Sequence, residues 1–372
     1  MYYISTSVVC LTRLFTTVTN INHFDMKRYM QVQQLDAVDR EILNIIQWEF
    51  PLVARPFLAI GERVGISEEE VIARIRRLKD EQIIREIDAI FDTRRLKYKS
   101  ALVAMSVEQA RIEHVAEVVN RHPGVSHNYE RDDPNYNLWF TIAAPPYGNV
   151  KREVERFAAL EGVRRYMILP TIKLYKIGVR LDMSGSDDDN ATDIKLENNA
   201  NTGARSAAVA ANVNFEPDEV DKMFIRELQK DIEVVSEPFS EPARRLGISV
   251  EDYLARAKYY ESIGVMRRFA AILRHRNAGF IANGMIVWIV PEARIDEVGT
   301  LLASFPQVTH CYRRPTYPDW PYNLYSMIHA RSREVCEGIA REFAAHVGIN
   351  DYRILFSTRE FKKERVRYFI ED

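Results

Sequence analysis

Two stretches of this 372-residue chain carry, in the same order, the residue types needed for acid-base work beside a carboxylate. The first is His127-Asn128-Tyr129-Glu130-Arg131, followed by Tyr136-Asn137-Leu138-Trp139. About 182 to 186 positions later come His310-Cys311-Tyr312-Arg313-Arg314 and Tyr322-Asn323-Leu324-Tyr325. An imidazole changes charge near neutrality and so can give or take a proton. A guanidinium offers a planar fork to carboxylates, and a phenol can hold or pass a proton. If each motif is a β-strand, alternation puts His127, Tyr129 and Arg131 on one face, and likewise His310, Tyr312 and Arg314. The same residue types serve equally in cross-strand packing and surface ion pairs. Their recurrence weighs toward function, because Trp139 has become Tyr325 and Arg55 has become Glu237, so the halves have diverged.

The elements that must position these motifs are also duplicated. Asp39 to Ser67 registers without a gap on Asp221 to Ser249, pairing RPFLAIGERVGIS (55–67) with EPFSEPARRLGIS (237–249). Val38, Ile42, Ile45 and Ile46 share a helical face, a short helix follows near 56–63, and Ser67 with Glu70 reads as a capping box before a helix carrying Val71, Ile72, Ile75 and Leu78. A wing-like strand is expected near 83–92. The rest alternates: strand 98–107, helix 109–121, hairpin 124–131 and 136–144, helix 149–160, strand 164–176. That order is βαββαβ, with both helices on one sheet face. The predicted fold is therefore α+β, a tandem repeat of a winged helix-turn-helix and a ferredoxin-like domain. The boundaries are 1–34 extension, 35–95 and 96–181 for the first pair of domains, 182–215 flexible linker, and 216–277 and 278–372 for the second pair. The linker is rich in Asp, Asn, Ser and Ala and lacks large apolar residues.

A net charge of −2 with neither half markedly basic gives no support to a dedicated DNA binder. Cys10, Cys311 and Cys336 form no CxxC pair, which fits a reduced, cytoplasmic setting. No stretch reads as a signal sequence or membrane span. Nucleotide-binding and zinc-protease signatures are missing.

A winged helix-turn-helix followed by βαββαβ resembles the Lrp/AsnC regulators. The run FPLVARPFLAIGERVGISEEEVIARIRRL (50–78), the H-x-Y-x-R motif and YNLWFT narrow the resemblance to the siroheme decarboxylase subunits, which occur as two related chains or as a fusion. It covers nearly all of residues 35–372. It implies non-oxidative removal of two acetate carboxyl groups from siroheme, giving 12,18-didecarboxysiroheme toward haem or haem d1. The substrate would be siroheme, with no cofactor beyond its iron, and the halves would form an internal pseudo-dimer, further self-association being open. Loss of carbon dioxide leaves carbanion character for the macrocycle to accept, and a proton must then reach the methylene carbon. On that reading His127 and His310 supply the proton and Tyr129 and Tyr312 assist. Arg131, Arg313 and Arg314 bind acetate or propionate. Tyr136, Asn137, Trp139, Tyr322, Asn323 and Tyr325 offer surfaces to a macrocycle edge, although YNLWFTI is equally a strand with core aromatics. Arg85 and Arg267, aligned on the wings, suit a peripheral carboxylate or a plain surface role. Whether a histidine ligates the iron stays open.

The halves are unequal. Asp132-Asp133-Pro134 in the first stands against Arg314-Pro315 in the second, and Tyr317 to Pro321 lengthens the second hairpin. His114, His122, His275, His329 and His346 have no matched partners and are read as structural or surface residues. The rival function is an Lrp/AsnC-type transcriptional regulator, since the 67–79 helix carries Arg74, Arg76, Arg77 and Lys79. Glu68, Glu69 and Glu70 occupy the turn where base contacts are made, however, and the second-half helix has only Arg256 and Lys258 among acids. DNA binding is not expected. A tetrapyrrole carrier without catalysis is the third reading.

Overall fold

The computed structural model describes residues 35–177, 214–274, 282–330 and 332–370; the expected extension 1–34, nearly all of the linker 182–215, and His275 lie outside them. The first half runs α1 (Ala37–Trp48), α2 (Pro56–Val64), α3 (Glu68–Asp80), β1 (Ile84–Phe91), β2 (Lys99–Val107), α4 (Ile112–Asn120), β3 (Val125–Arg131), β4 (Leu138–Ala144), α5 (Val150–Ala158), β5 (Val163–Pro170) and β6 (Lys173–Ile177). The second runs α6 (Glu219–Leu228), α7 (Ser240–Leu246), α8 (Val250–Ser262), β7 (Met266–Leu273), β8 (Ala282–Trp288), α9 (Ile295–Ser304), β9 (Val308–Arg313), β10 (Leu324–Ala330), α10 (Arg333–Val347) and β11 (Tyr352–Lys363).

The helix starts follow from capping chemistry. Asp36 and Asp218 each close a reciprocal box with the residue three positions on, Asp39 and Asp221. Ser67 and Ser249 cap the third helix of each half. The box expected at Ser67 is only half made: its hydroxyl accepts from the Glu70 amide, while the Glu70 carboxylate turns to Arg74 at 2.8 Å. Gly65 (φ 77°) and Gly247 (φ 71°) end α2 and α7 in the left-handed region, which frees the chain to turn sharply into the next helix.

The βαββαβ units appear as expected, with one difference. The strand expected over 164–176 is broken at Thr171 and Ile172, because Pro170 brings no amide hydrogen to the ladder and the chain there leaves its own sheet. β5 pairs with β2 of the first half, whereas β6 pairs with β9 of the second. β11 mirrors this: Tyr352 to Phe356 pair with β8, and Ser357 to Lys363 pair with β3 of the first half. The result is one nine-stranded order, β5-β2-β4-β3-β11-β8-β10-β9-β6. The two near-continuous edge segments, β5 and β6, bring its ends back together.

Alternation sorts the side chains of this sheet. Leu138, Phe140 and Ile142 face α4 and α5 in one apolar core, and Ile286, Leu324 and Ile328 face α9 and α10 in another. The opposite faces meet each other. There Ala104, Trp139, Leu169, Val287, Tyr325 and Leu355 pack with Trp320, which the lengthened second hairpin inserts between the sheets. Trp320 is buried, donates to the Tyr325 hydroxyl at 2.8 Å and lies 5.4 Å from the Trp139 ring. It stoppers one end of the inter-sheet space. The two wings pair with each other as an antiparallel ribbon, Ile87 opposite Ala271 and Ala89 opposite Phe269. Both helix-turn-helix units share one core beneath that ribbon. Among the described residues no helix is long and apolar enough to cross a membrane.

The basic residues of α3 are held within the molecule. Arg74 pairs with Asp36, Asp39 and Glu70, Arg77 with Asp39, and Lys79 with Asp231, while Arg76 donates to the Val234 carbonyl. Arg256 of α8 is bound to Asp221 and Tyr260.

Candidate active site

The inner faces of the sheets, roofed by the wing ribbon and by residues 363–368, enclose a cavity of about 1050 Å³. That is at the top of the roughly 300–1,000 Å³ range in which small molecules and cofactors bind. His127, Tyr129 and Arg131 line it from β3, and His310, Tyr312 and Arg314 from β9. The expected common faces are therefore real, and they front one space. A bulge beside Ser126 keeps His127 in this phase, and a matching irregularity in the β9 pairing lies beside His310.

Each imidazole is fixed by the residue before it. His127 Nδ1 lies 3.0 Å from the Ser126 hydroxyl, and His310 Nδ1 lies 3.0 Å from Thr309. Neither Nε2 has a hydrogen-bond partner among the described residues. Each ring also neighbours its own tyrosine, with centroids 6.3 Å apart for His127 and Tyr129 and 6.1 Å for His310 and Tyr312. Burial, helped by Lys363 and Arg85, pushes His127 down to about 3. Burial, helped by Arg267 and Arg314, pushes His310 down to about 4. Both rings are thus neutral in the protein alone. Burial also raises Tyr312 against the pull of Arg314, so its phenol keeps its proton.

The arginines show what the cavity is built to receive. Arg131 donates to the Leu355 carbonyl at 2.8 Å and Arg314 to the Leu169 carbonyl at 2.5 Å, so each reaches across to the other half. Arg314 lies over Tyr312 at 4.7 Å and Arg131 over Tyr129 at 5.6 Å. The Nε atoms of Arg131, Arg314 and Arg268 are all buried without a partner. Three desolvated guanidinium groups, none paired with a carboxylate among the described residues, leave an excess of positive charge beside this space. The other cations are partly offset: Arg267 by Asp92 at 2.8 Å, Arg365 by Asp88 at 2.6 Å, and Arg85 by Glu86.

The remaining expected residues separate. Arg85 and Arg267, as readily taken for surface groups, line the cavity because the wings pair with each other and fold over it. Trp139 and Tyr325 also line it. Tyr136 and Tyr322 instead pack around Trp320, with the Tyr136 hydroxyl bound to Asp319 at 2.8 Å. Asn137 and Asn323 are clips: each side chain bonds both backbone groups of one residue, Val107 or Val290. Arg313 alternates onto the other sheet face and pairs with exposed Glu292. The residues missed by sequence reasoning are His329, Arg268 and the basic run Lys363, Arg365 and Arg367. His329 was legible in principle, since it follows Tyr325 and Met327 at period two on the same strand face. His114 and His346 are exposed, and His122 lies between α4 and α5, 3.9 Å from Glu153. Among the described residues no group of three His, Cys, Asp or Glu converges as a metal site.

Known proteins resemble this chain in sequence and fold. The AsnC-like ligand binding domain family matches residues 98–176 and 277–362, and the siroheme decarboxylase NirDL-like HTH domain family matches residues 39–85 and 221–267. A siroheme decarboxylase of Hydrogenobacter thermophilus is 40% identical over 89% of this chain and 95% of its own length. A siroheme decarboxylase beta subunit of Methanosarcina barkeri is 46% identical over 40% of this chain and 99% of its own, so a separate subunit corresponds to one half here. The crystal structure of the siroheme decarboxylase NirDL in complex with an iron-uroporphyrin III analogue is 35% identical, covers 90% of this chain and 95% of that one, and superposes with a TM-score of 0.67.

Proposed function

The chain belongs to the siroheme decarboxylase family, and from that membership we propose that its inter-sheet cavity binds siroheme and that two acetate carboxyl groups leave there, giving 12,18-didecarboxysiroheme. The observation that carries this reading is that Arg131, Arg268 and Arg314, with no carboxylate partner among the described residues, line one cavity with His127 and His310. Bound carboxylates would be drawn to that excess of positive charge. They also offset the cations that add to burial in lowering the basicity of His127 and His310. Carbon dioxide departs as the macrocycle accepts the electron pair, and an imidazole then protonates the methylene carbon. Tyr129 and Tyr312 orient the rings, and Tyr312 keeps its phenol proton.

The helix-turn-helix units serve as scaffold in this reading, because the cations of α3 are spent on internal pairs. Anaerobic incubation of the purified protein with siroheme, followed by mass analysis, is the test: loss of two carboxyl groups is expected, and unchanged siroheme defeats the assignment. A salt-dependent gel shift on genomic fragments addresses the regulator reading, for which tight sequence-selective binding is required.

A further inference from the structure

The two imidazoles differ in what lies behind them. Among the described residues Ser126 behind His127 leads to no further titratable side chain, and Ala143 holds the β4 position that matches His329. Behind His310, the Thr309 hydroxyl meets His310 Nδ1 at 3.0 Å, His329 Nδ1 at 3.4 Å and the Met327 carbonyl at 3.2 Å. One hydroxyl proton cannot serve three acceptors, so at least one imidazole donates its Nδ1–H to Thr309. All three side chains are held in adjacent strands, and both histidines line the cavity. His329 stands opposite Asn283 of β8. The charged groups acting on His310 are Arg267 from the ribbon, Arg314 from just beyond its own strand and Lys176 from β6, all cations.

We propose that His329 is a positioning residue which, through Thr309, makes His310 the proton donor of this cavity and leaves His127 a binding group. The proposal rests on the decarboxylase reading. A neutral imidazole is a poor acid unless its second nitrogen gains a proton as the first loses one. As the carbon–carbon bond to the carboxylate breaks, its electron pair passes into the macrocycle and carbon dioxide leaves. The methylene carbon then takes the His310 Nε2 proton, the Thr309 hydroxyl proton moves to His310 Nδ1, and Thr309 is refilled from His329 Nδ1. His329 enters as the neutral Nδ1–H tautomer and takes a proton from cavity water at Nε2 as it gives up Nδ1–H, so one proton is consumed per carboxylate lost, with no oxidant or reductant. The reverse shift resets the chain: water protonates His310 Nε2, its Nδ1–H returns through Thr309 to His329 Nδ1, and His329 Nε2 gives its proton back to water.

Anaerobic siroheme turnover of wild type, His329→Ala, Thr309→Val, Thr309→Ser and Ser126→Ala decides the matter. Alanine suits position 329, since Ala143 holds the matched place. His329→Ala and Thr309→Val are expected to lower kcat about tenfold to a hundredfold with little change in KM, on the scale of acid-base groups. Thr309→Ser keeps the hydroxyl and should retain turnover, and Ser126→Ala, which loosens only the binding imidazole, should raise KM while lowering kcat far less than Thr309→Val does. The solvent deuterium effect on kcat should shrink in His329→Ala. If wild type is active and His329→Ala matches it, or if Ser126→Ala costs as much as Thr309→Val, the relay is overturned and the decarboxylase reading stands. An inactive wild type overturns both. Should His329→Ala not fold, the Thr309 valine and serine pair carries the decision by the same kcat criterion.

Discussion

The His127 and His310 ends of the cavity present the same face of His, Tyr and Arg, yet their surroundings have diverged. At the first end β3 is flanked by the distal part of β11, so Lys363 lies opposite His127, and Arg365, braced by Asp88, stands near. At the second end β9 is flanked by β6, so Ile177 lies opposite His310, and the chain of Thr309 and His329 runs behind it. Cations stand at both ends, Lys363, Arg85 and Arg365 at the first and Arg267, Arg314 and Lys176 at the second, but the second also has the hydrogen-bonded pair of Thr309 and His329. Duplication supplies two equal sites at the outset, and the difference teaches that binding and proton delivery can then be divided between them.

The sharpest way to break this comparison is to remove each imidazole in turn. His310→Ala is expected to lower the rate of the first carboxyl loss about a hundredfold to ten-thousandfold. His127→Ala should weaken siroheme binding with a smaller loss of rate. Single-turnover mass analysis at saturating siroheme measures both, and equal rate losses would erase the division.

Of intermediate size is the effect of the paired arginines. Arg131→Met and Arg314→Met each remove a buried guanidinium whose Nε has no partner. Each should weaken siroheme binding by about 1.5–3 kcal/mol, the worth of a charged hydrogen bond. Unfolding of the siroheme-free protein should shift by no more than about 1 kcal/mol, because a desolvated cation contributes little net stability. Absorbance titration and urea unfolding read the two quantities separately.

How much of this was legible without coordinates follows from which forces are local. The shared face of His127, Tyr129 and Arg131 follows from strand alternation, and the helix-turn-helix and βαββαβ patterns from apolar periodicity, so these could be read directly. Arg313 sits beside Arg314 in sequence, yet the same alternation sends it to the other face, where it pairs with Glu292. The roles of Arg85, Arg267 and Arg365 depend on wings and tail pairing across the molecule, and no local pattern encodes a contact between Arg365 and Asp88. Trp320 illustrates the same limit, since the lengthened hairpin is visible in sequence but its insertion between two sheets is not.

The smallest expected effect concerns acid. The folded protein holds His127 and His310 well below the ordinary imidazole value of 6.5, so their contribution to stability is full above that pH. It is lost as pH falls toward about 4 for His310 and about 3 for His127, with a slope of at most about 1.4 kcal/mol per pH unit for each group. Asp88, pushed up to about 7 by burial, acts in the opposite sense: its contribution is full below the ordinary carboxyl range and is lost as pH rises toward 7. Urea midpoints between pH 6.5 and 4.5 should therefore fall less steeply in His127→Asn and His310→Asn than in wild type. Parallel slopes in all three proteins would show that burial of these rings does not set the acid response.

The exchange of strand ends also bears on how the chain is made. Arg131 bonds to the carbonyl of Leu355, 224 residues away, and β3 finds its outer neighbour only in Ser357 to Lys363. On the ribosome, the first half therefore emerges with an open strand edge that must remain uncovered until almost all of the second half has followed. Pairings this remote in sequence form slowly, and exposed edges invite pairing with other chains. The nascent first half is the stage at which the protein most needs protection from its own copies.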